Sequence, residues 1–342
     1  MIKEAIARVV QGVNLTEEEA ETAMMDIMDG VATPSQVAAF LTALRMKGET
    51  VEEITGSARA MRKKAARIYP EKDVVVDTCG TGGDGMNTFN ISTTAAFVVA
   101  GAGAVVAKHG NRSVSSRSGS ADVLEALGVN IAATPQVVQD CLNTVGMGFL
   151  FAPLFHEAMK HAAAPRREMG IRTVFNLLGP LTNPAGAQAQ VLGVFDPQLT
   201  ELLGEVLKKL GTRRAFVVHS GDGLDEFSVS APTKVTEVYE DRVRTYFVTP
   251  EELGLNRASL EDMRGGSAQE NASIAMEILS GARGPRRDVV LLNAAAALVA
   301  GGLAADLREG LGIATESIDS RKALEKLELL RYRTRGVPND HR

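Results

Sequence analysis

Asp73-Val74-Val75-Val76-Asp77-Thr78-Cys79-Gly80-Thr81-Gly82-Gly83-Asp84-Gly85-Met86-Asn87-Thr88-Phe89-Asn90-Ile91-Ser92-Thr93 is the stretch that decides the fold of this 342-residue chain. Val74, Val75 and Val76 form a short β-branched run, the pattern of a strand buried on both faces of a parallel sheet. Glycines follow at 80, 82, 83 and 85, then a polar turn over 87–90, and Ser92, Thr93 and Thr94 lead into an apolar helical run over 95–100. A strand, a glycine loop and a helix N-terminus with free backbone N–H groups make an anion site. Glycine lets the backbone approach phosphate oxygens, and the hydroxyls add donors and helix caps. A plain strand-to-helix turn would need neither so many glycines nor so many hydroxyls. The loop reads as a phosphate holder.

Gly80, Gly82 and Gly85 also spell G-x-G-x-x-G. A dinucleotide fold would then place Asp or Glu about 20 residues on, at the end of the second strand, to bind ribose hydroxyls. Here that strand, Ala104-Val105-Val106-Ala107, ends in Lys108-His109-Gly110-Asn111-Arg112. A basic loop suits another phosphate better than a ribose diol. The Walker pattern also fails, because no Gly-Lys-Ser/Thr follows the glycines.

Working outward, residues 1–68 read as helices only. Thr16-Glu17-Glu18-Glu19 and Thr50-Val51-Glu52-Glu53 are capping boxes, and Thr33-Pro34 sets a cap before a first-turn proline. Gly48 ends the helix that Thr33 starts, and Tyr69-Pro70 is expected to close the one that Thr50 starts. From residue 72 strands alternate with helices, which argues a mostly parallel sheet covered on both faces. Residues 166–184 break that rhythm and are expected to rejoin the N-terminal helices. The tail 331–342 is polar and expected to fray. The fold expected is α/β, with a small all-helical N-terminal domain over 1–70, joined by part of 165–190, and a large α/β domain over 71–342.

Composition narrows the function classes. Hydrophobic content of 45% and charged content of 23% are those of a soluble globular protein. A formal charge of −5 gives no global pull toward nucleic acid, so any basic site is local. No apolar stretch reaches the roughly 18 residues of a membrane span. Cys79 and Cys141 lack metal-site spacing, and the charged start Met1-Ile2-Lys3-Glu4-Ala5 is no secretory leader, so a cytoplasmic location is expected.

Three further segments carry candidate chemistry. Lys108 to Ser120 is a basic, serine-rich loop after the second strand, able to face the same anion as the glycine loop. His219-Ser220-Gly221-Asp222-Gly223-Leu224-Asp225-Glu226-Phe227 follows a later strand and brings three carboxylates into a glycine-flexed loop, a match for Mg²⁺ bridging to phosphate or for plain solvation. Ala164-Pro165-Arg166-Arg167-Glu168 reads most simply as a helix N-terminus, and Phe175-Asn176-Leu177-Leu178-Gly179-Pro180-Leu181-Thr182-Asn183-Pro184 as a rigid positioning segment.

Taken together in chain order, Asp77 to Asp84, Asn90 to Thr93, Lys108 to Arg112, Asn176 to Pro184 and Asp225-Glu226 resemble the anthranilate phosphoribosyltransferase family. The resemblance implies transfer of a phosphoribosyl group from 5-phosphoribosyl 1-pyrophosphate (PRPP) to the anthranilate nitrogen, in tryptophan synthesis, with Mg²⁺ and a homodimer formed through the helical domain. By position it implies PRPP contacts at Gly80, Gly83, Asp84, Thr88, Asn90, Ile91, Ser92 and Thr93. It adds Lys108, His109, Gly110, Asn111, Arg112, Ser113, Val114, Ser115, Ser116 and Ser120 as the segment closing over PRPP. Gly80, Asn111, Arg166, His109 and Pro180 are implied at anthranilate, and Ser92, Asp225 and Glu226 at the metal. No residue is implied as a covalent nucleophile, and neither nucleic acid nor a membrane is expected as partner. A pyrimidine nucleoside phosphorylase-like enzyme and a non-catalytic nucleotide-binding relative are the alternatives.

Overall fold

The computed structural model describes residues 1–113 and 117–335. Its first four helices are α1 (Ile2–Val10), α2 (Glu17–Met28), α3 (Pro34–Lys47) and α4 (Val51–Lys64). Thr16 with Glu19, Thr33 with Gln36 and Thr50 with Glu53 form reciprocal capping boxes, each satisfying N–H groups that a helix start leaves open. α4 ends before Tyr69-Pro70, contrary to expectation. Ala65 is extended, and the next N–H groups leave the helical ladder: Ala66 donates to the Phe155 carbonyl and Ile68 to that of Pro184. Tertiary bonds replace the last turn.

The chain then runs through β1 (Val75–Gly80), α5 (Ile91–Gly101), β2 (Val105–Gly110), α6 (Ser120–Ala126), α7 (Pro135–Thr144), β3 (Met147–Phe151), α8 (Ala152–Phe155), α9 (Lys160–Met169), α10 (Phe175–Leu181), β4 (Ala189–Gly193), α11 (Leu199–Lys209) and β5 (Arg214–Ser220). A hairpin of β6 (Thr233–Tyr239) and β7 (Arg242–Val248) follows, then α12 (Ala268–Leu279), α13 (Pro285–Ala300), α14 (Leu307–Asp319) and α15 (Lys322–Arg335). α15 carries the chain as helix through Arg331–Arg335, where the polar sequence suggests fraying.

Strand order is β3-β2-β1-β4-β5-β6-β7, parallel from β3 to β5 and antiparallel beyond. Period-2 alternation divides the core. Val191, Phe216 and Val218 face one cluster, which holds α5 and α13, while Leu192, Ala215 and Val217 face another, which holds α11 and the N-terminal helices. α5 and α13 are apolar almost all round, as helices buried on every side must be. The connections run from β1 toward β2 and from β4 toward β5, in opposite directions. The crevice beyond the carboxyl ends of β1 and β4 is therefore the topological switch point, where open α/β sheets bind ligands.

α9 packs on α3 and α2, and α10 on α4; Ala162, Phe175 and Leu178 share a core with Phe40, Leu41 and Leu44. Pro165 lies inside α9, not at a helix N-terminus as the sequence suggests. The helix starts five residues earlier, at Lys160, which places Arg166 in its last turns.

Candidate active site

Gly80 ends β1 opposite Gly193 of β4. A side chain at Gly193 would collide with the Asp225 carbonyl, and one at Gly80 would stand 2.9 Å from Asp225 Oδ2. Two bare strand ends thus let the loop after β5 cross the switch point and lay Asp225 and Glu226 over it. The Gly82 N–H donates to Asp225 Oδ2 at 3.1 Å, and the Ser92 N–H, in the first turn of α5, donates to Glu226 Oε1 at 3.1 Å. The glycine loop and the acidic pair form one cluster.

Ser92, Thr93 and Thr94 lie inside α5 rather than capping it; Asn90 is the N-cap residue. Asn90 accepts from Asn271 at 2.9 Å and donates to the Ser118 carbonyl at 3.2 Å, while Ile91 is buried beneath. Thr88 bridges to Arg264.

Charge in this cluster is strained. Burial, then the neighbouring Asp84 and Glu226 charges, push the Asp225 carboxyl well above its ordinary range. Burial raises Glu226 to about 7, against the pull of Lys108 and the Ser92 N–H. The Lys108 ammonium lies buried beneath, donating to the Thr78 carbonyl and 3.4 Å from Ser92 Oγ. Burial lowers its affinity for a proton, and Asp77, Glu226 and Asp225 partly restore it.

A divalent cation fits here. The donors are hard oxygens from Asp225, Glu226, Asp84 and Ser92, and the buried carboxyls outnumber the one Lys108 ammonium beside them. That suits Mg²⁺, which is held by one or two carboxylates and completed by substrate phosphates and water.

Of the three carboxylates in the 219–227 loop, Asp222 belongs elsewhere. It accepts from Ser228 Oγ at 2.6 Å and from Ser230 Oγ, and so shapes the loop.

Two family models match, described as the helical bundle domain of a glycosyl transferase family over residues 3–65 and its a/b domain over 72–324. An anthranilate phosphoribosyltransferase of Moorella thermoacetica is 61% identical over 330 residues, covering 96% of this chain and 97% of that one. The crystal structure of the enzyme from Thermus thermophilus superposes with a TM-score of 0.92 at 46% identity, covering 97% of this chain and 99% of that one. The Saccharomyces cerevisiae enzyme in complex with PRPP and Mg gives a TM-score of 0.89 at 30% identity, with 98% of both chains covered. The chain belongs to the anthranilate phosphoribosyltransferase family.

Within this family framework the second half of the crevice is built by β2, α9 and α10. The His109 N–H donates to Asp77 Oδ1 at 3.1 Å, and its Nδ1 faces the Gly179 carbonyl at 3.0 Å. The His109 ring lies 5.0 Å from that of His156. Burial holds both imidazoles neutral, His109 down to about 3 with help from His156, and His156 down to about 4. Among the described residues Nε2 of each is buried without a hydrogen-bond partner. Pro180 sits next to Gly179, its carbonyl taking a 2.7 Å bond from Gln190.

Arg166 stacks on Phe175, 5.0 Å from the ring centroid. Its side chain makes no hydrogen bond or ion pair among the described residues, although burial opposes its charge. A half-buried guanidinium without an anion is a place for one.

The remaining expected residues spread along one loop. Gly110 packs where a side chain would strike Ser120 Oγ, and Ser120 donates to the Asn111 carbonyl at 3.3 Å. Arg112 is turned to Asp122 and Glu125, at 2.8 and 2.9 Å, so its side chain is engaged elsewhere. The Ser113 N–H bonds Asp122 at 3.1 Å. Val114, Ser115 and Ser116 lie outside the described residues.

Two supporting residues, Asn293 and Asn271, escape sequence reasoning, while Asn183 lies in the segment read as positioning. Asn293 of α13 accepts the Phe227 N–H at 3.0 Å and donates to its carbonyl at 2.9 Å, clamping the chain just after Glu226. Asn271 of α12 holds Asn90, and Asn183 ties Asp77 to the Ala107 carbonyl, each at 2.8–2.9 Å. A polar residue inside an apolar helix is the only sequence signal Asn293 gives.

Proposed function

We propose that this crevice transfers the phosphoribosyl group of PRPP to the amino nitrogen of anthranilate, using Mg²⁺. The observation that carries the reading is the joining of the Asp225-Glu226 pair to the glycine loop and the α5 N-terminus at the switch point. That cluster offers backbone N–H groups for phosphate and carboxylates for the cation of a Mg²⁺–pyrophosphate substrate.

Gly80, Gly83, Asp84, Thr88, Asn90, Ile91, Ser92 and Thr93 line the donor half, with 108–113 and Ser120 beside them. Asp225, Glu226 and Ser92 hold Mg²⁺, which when bound neutralises charge on the departing pyrophosphate. Arg166 takes the anthranilate carboxylate through two parallel N–H bonds, with Gly80, Asn111, His109 and Pro180 around the ring. The aryl amine is neutral near pH 7, so nitrogen attacks the ribose carbon while the carbon–oxygen bond to pyrophosphate breaks. The new ammonium then loses one proton. No covalent enzyme intermediate is needed; the chain positions two substrates and stabilises a leaving group.

We further assign 1–70, with α9 and α10, to a helical unit, and the rest to the α/β unit; the packing of α9 on α2 and α3 and of α10 on α4 supports joining these helices to it. The helical unit also carries exposed Met1, Val10, Val31 and Met46, apolar side chains available to a homodimer contact. Among the described residues no helix is long and apolar enough to cross a membrane.

Arg166→Ala tests the allocation of half-sites. Losing a hydrogen bond to a charged group costs roughly 1.5–3 kcal/mol, so the anthranilate KM should rise about 10- to 150-fold while the PRPP KM stays near parental. An unchanged anthranilate KM, or an equal rise for PRPP, contradicts it.

A further inference from the structure

Arg172 stands in the five-residue turn between α9, which bears Arg166, and α10, which bears Pro180. The central carbon of its guanidinium lies over the Phe195 ring, 4.1 Å from the centroid, and the guanidinium donates to the Gly83 carbonyl. Gly83 has φ +81°, and a Cβ there would come within 2.7 Å of the Arg172 guanidinium. The space a side chain would need is occupied by this contact.

The other side of the loop is pinned as well. The Thr81 N–H donates to the Gly193 carbonyl at 2.9 Å, Thr81 Oγ1 accepts from the Phe195 N–H at 3.2 Å, and the Gly82 N–H goes to Asp225. Phe195 therefore serves twice, as backbone partner of Thr81 and as the shelf for Arg172. Arg172 is the point at which the acceptor-bearing segment grips the donor loop.

We propose that Arg172, braced on Phe195, is a positioning residue that sets the glycine loop for PRPP. This rests on the reading of the crevice as a PRPP and anthranilate site. The stack fixes the plane of the guanidinium, and the bond to Gly83 fixes the peptide between Gly83 and Asp84. Without it Gly83, at positive φ, loses the bond that holds its peptide.

The test compares Arg172→Ala, Phe195→Leu and the double variant, with Tm by circular dichroism and KM for each substrate at saturating concentration of the other. Arg172 is exposed, so its loss leaves the fold in place. Arg172→Ala should raise the PRPP KM roughly 10-fold or more, with little change in Tm or in the anthranilate KM. Phe195→Leu should move the same constant, and the double variant should be no worse than the worse single one, because both disrupt one unit. A parental PRPP KM in Arg172→Ala, or effects that multiply, overturns the proposal while the parent still turns over. A parent that does not turn over PRPP and anthranilate sinks the underlying reading instead.

Discussion

The backbone N–H of Ser92 donates to Glu226 Oε1 across 3.1 Å and 134 residues of sequence. One bond joins the helix proposed to receive phosphate to the carboxylate proposed to receive the cation. Donor and metal sites therefore form and fail together.

Asp225→Ala or Glu226→Ala should lower turnover and raise the Mg²⁺ concentration for half-maximal rate. Each removes one of the two carboxylates expected to hold the ion. Rate measured against Mg²⁺ at fixed PRPP checks this. Parental Mg²⁺ dependence in both variants would refute the metal assignment.

The Glu226 carboxyl, raised to about 7 chiefly by burial, sets a pH dependence. A raised folded-state pKa gives stability that is complete below the unfolded value near 4.5 and lost as pH rises through 7. In metal-free protein Glu226→Gln should therefore gain on the order of 1–3 kcal/mol over the parent at pH 8, and the gain should shrink toward pH 5. Denaturant titrations at both pH values with chelator present decide it; equal stability at pH 8 would contradict the strain.

Neutral buried histidines act in the opposite direction. His109 and His156, lowered to about 3 and about 4, give stability that is full above the unfolded value near 6.5 and lost as pH falls through 4 to 3. His156→Gln should reduce the acid sensitivity of Tm between pH 6 and 4. An unaltered slope across that range would show that His156 is charged or exposed.

Asn293→Ala should destabilise the protein by roughly 2–4 kcal/mol, since it leaves the buried Phe227 N–H and carbonyl unpaired. It should also weaken the Mg²⁺ response, although Asn293 lies far from every metal ligand in sequence. Chemical denaturation and the Mg²⁺ titration together test the clamp.

Helical-unit dimerisation predicts light scattering at twice the 36.3 kDa chain mass at micromolar concentration. A species of single-chain mass throughout would remove it.

Much of this crevice is legible in the sequence because its chemistry is local. Val74-Val75-Val76, the glycines and the serine-threonine run state a strand, a loop and a helix without reference to anything distant. Long-range support is not legible. Asn293 meets Phe227 from 66 residues away and Asn271 meets Asn90 from 181, and neither sits in a recurring local pattern. The β6–β7 hairpin turns on Glu240 and Asp241, both at positive φ, where no glycine or asparagine marks the turn. Pro165 misleads because proline favours a helix start, yet it falls within α9, whose ends are set by packing on α3. Asp222 looks equivalent to Asp225 until its serine partners are seen.

Incubation of the protein with PRPP, Mg²⁺ and anthranilate, followed by anthranilate fluorescence and released pyrophosphate, puts the proposed transfer itself on trial. Fluorescence should fall only when all three are present, with one pyrophosphate released for each anthranilate consumed. Persistent fluorescence, or loss of anthranilate without pyrophosphate, would rule the transfer out.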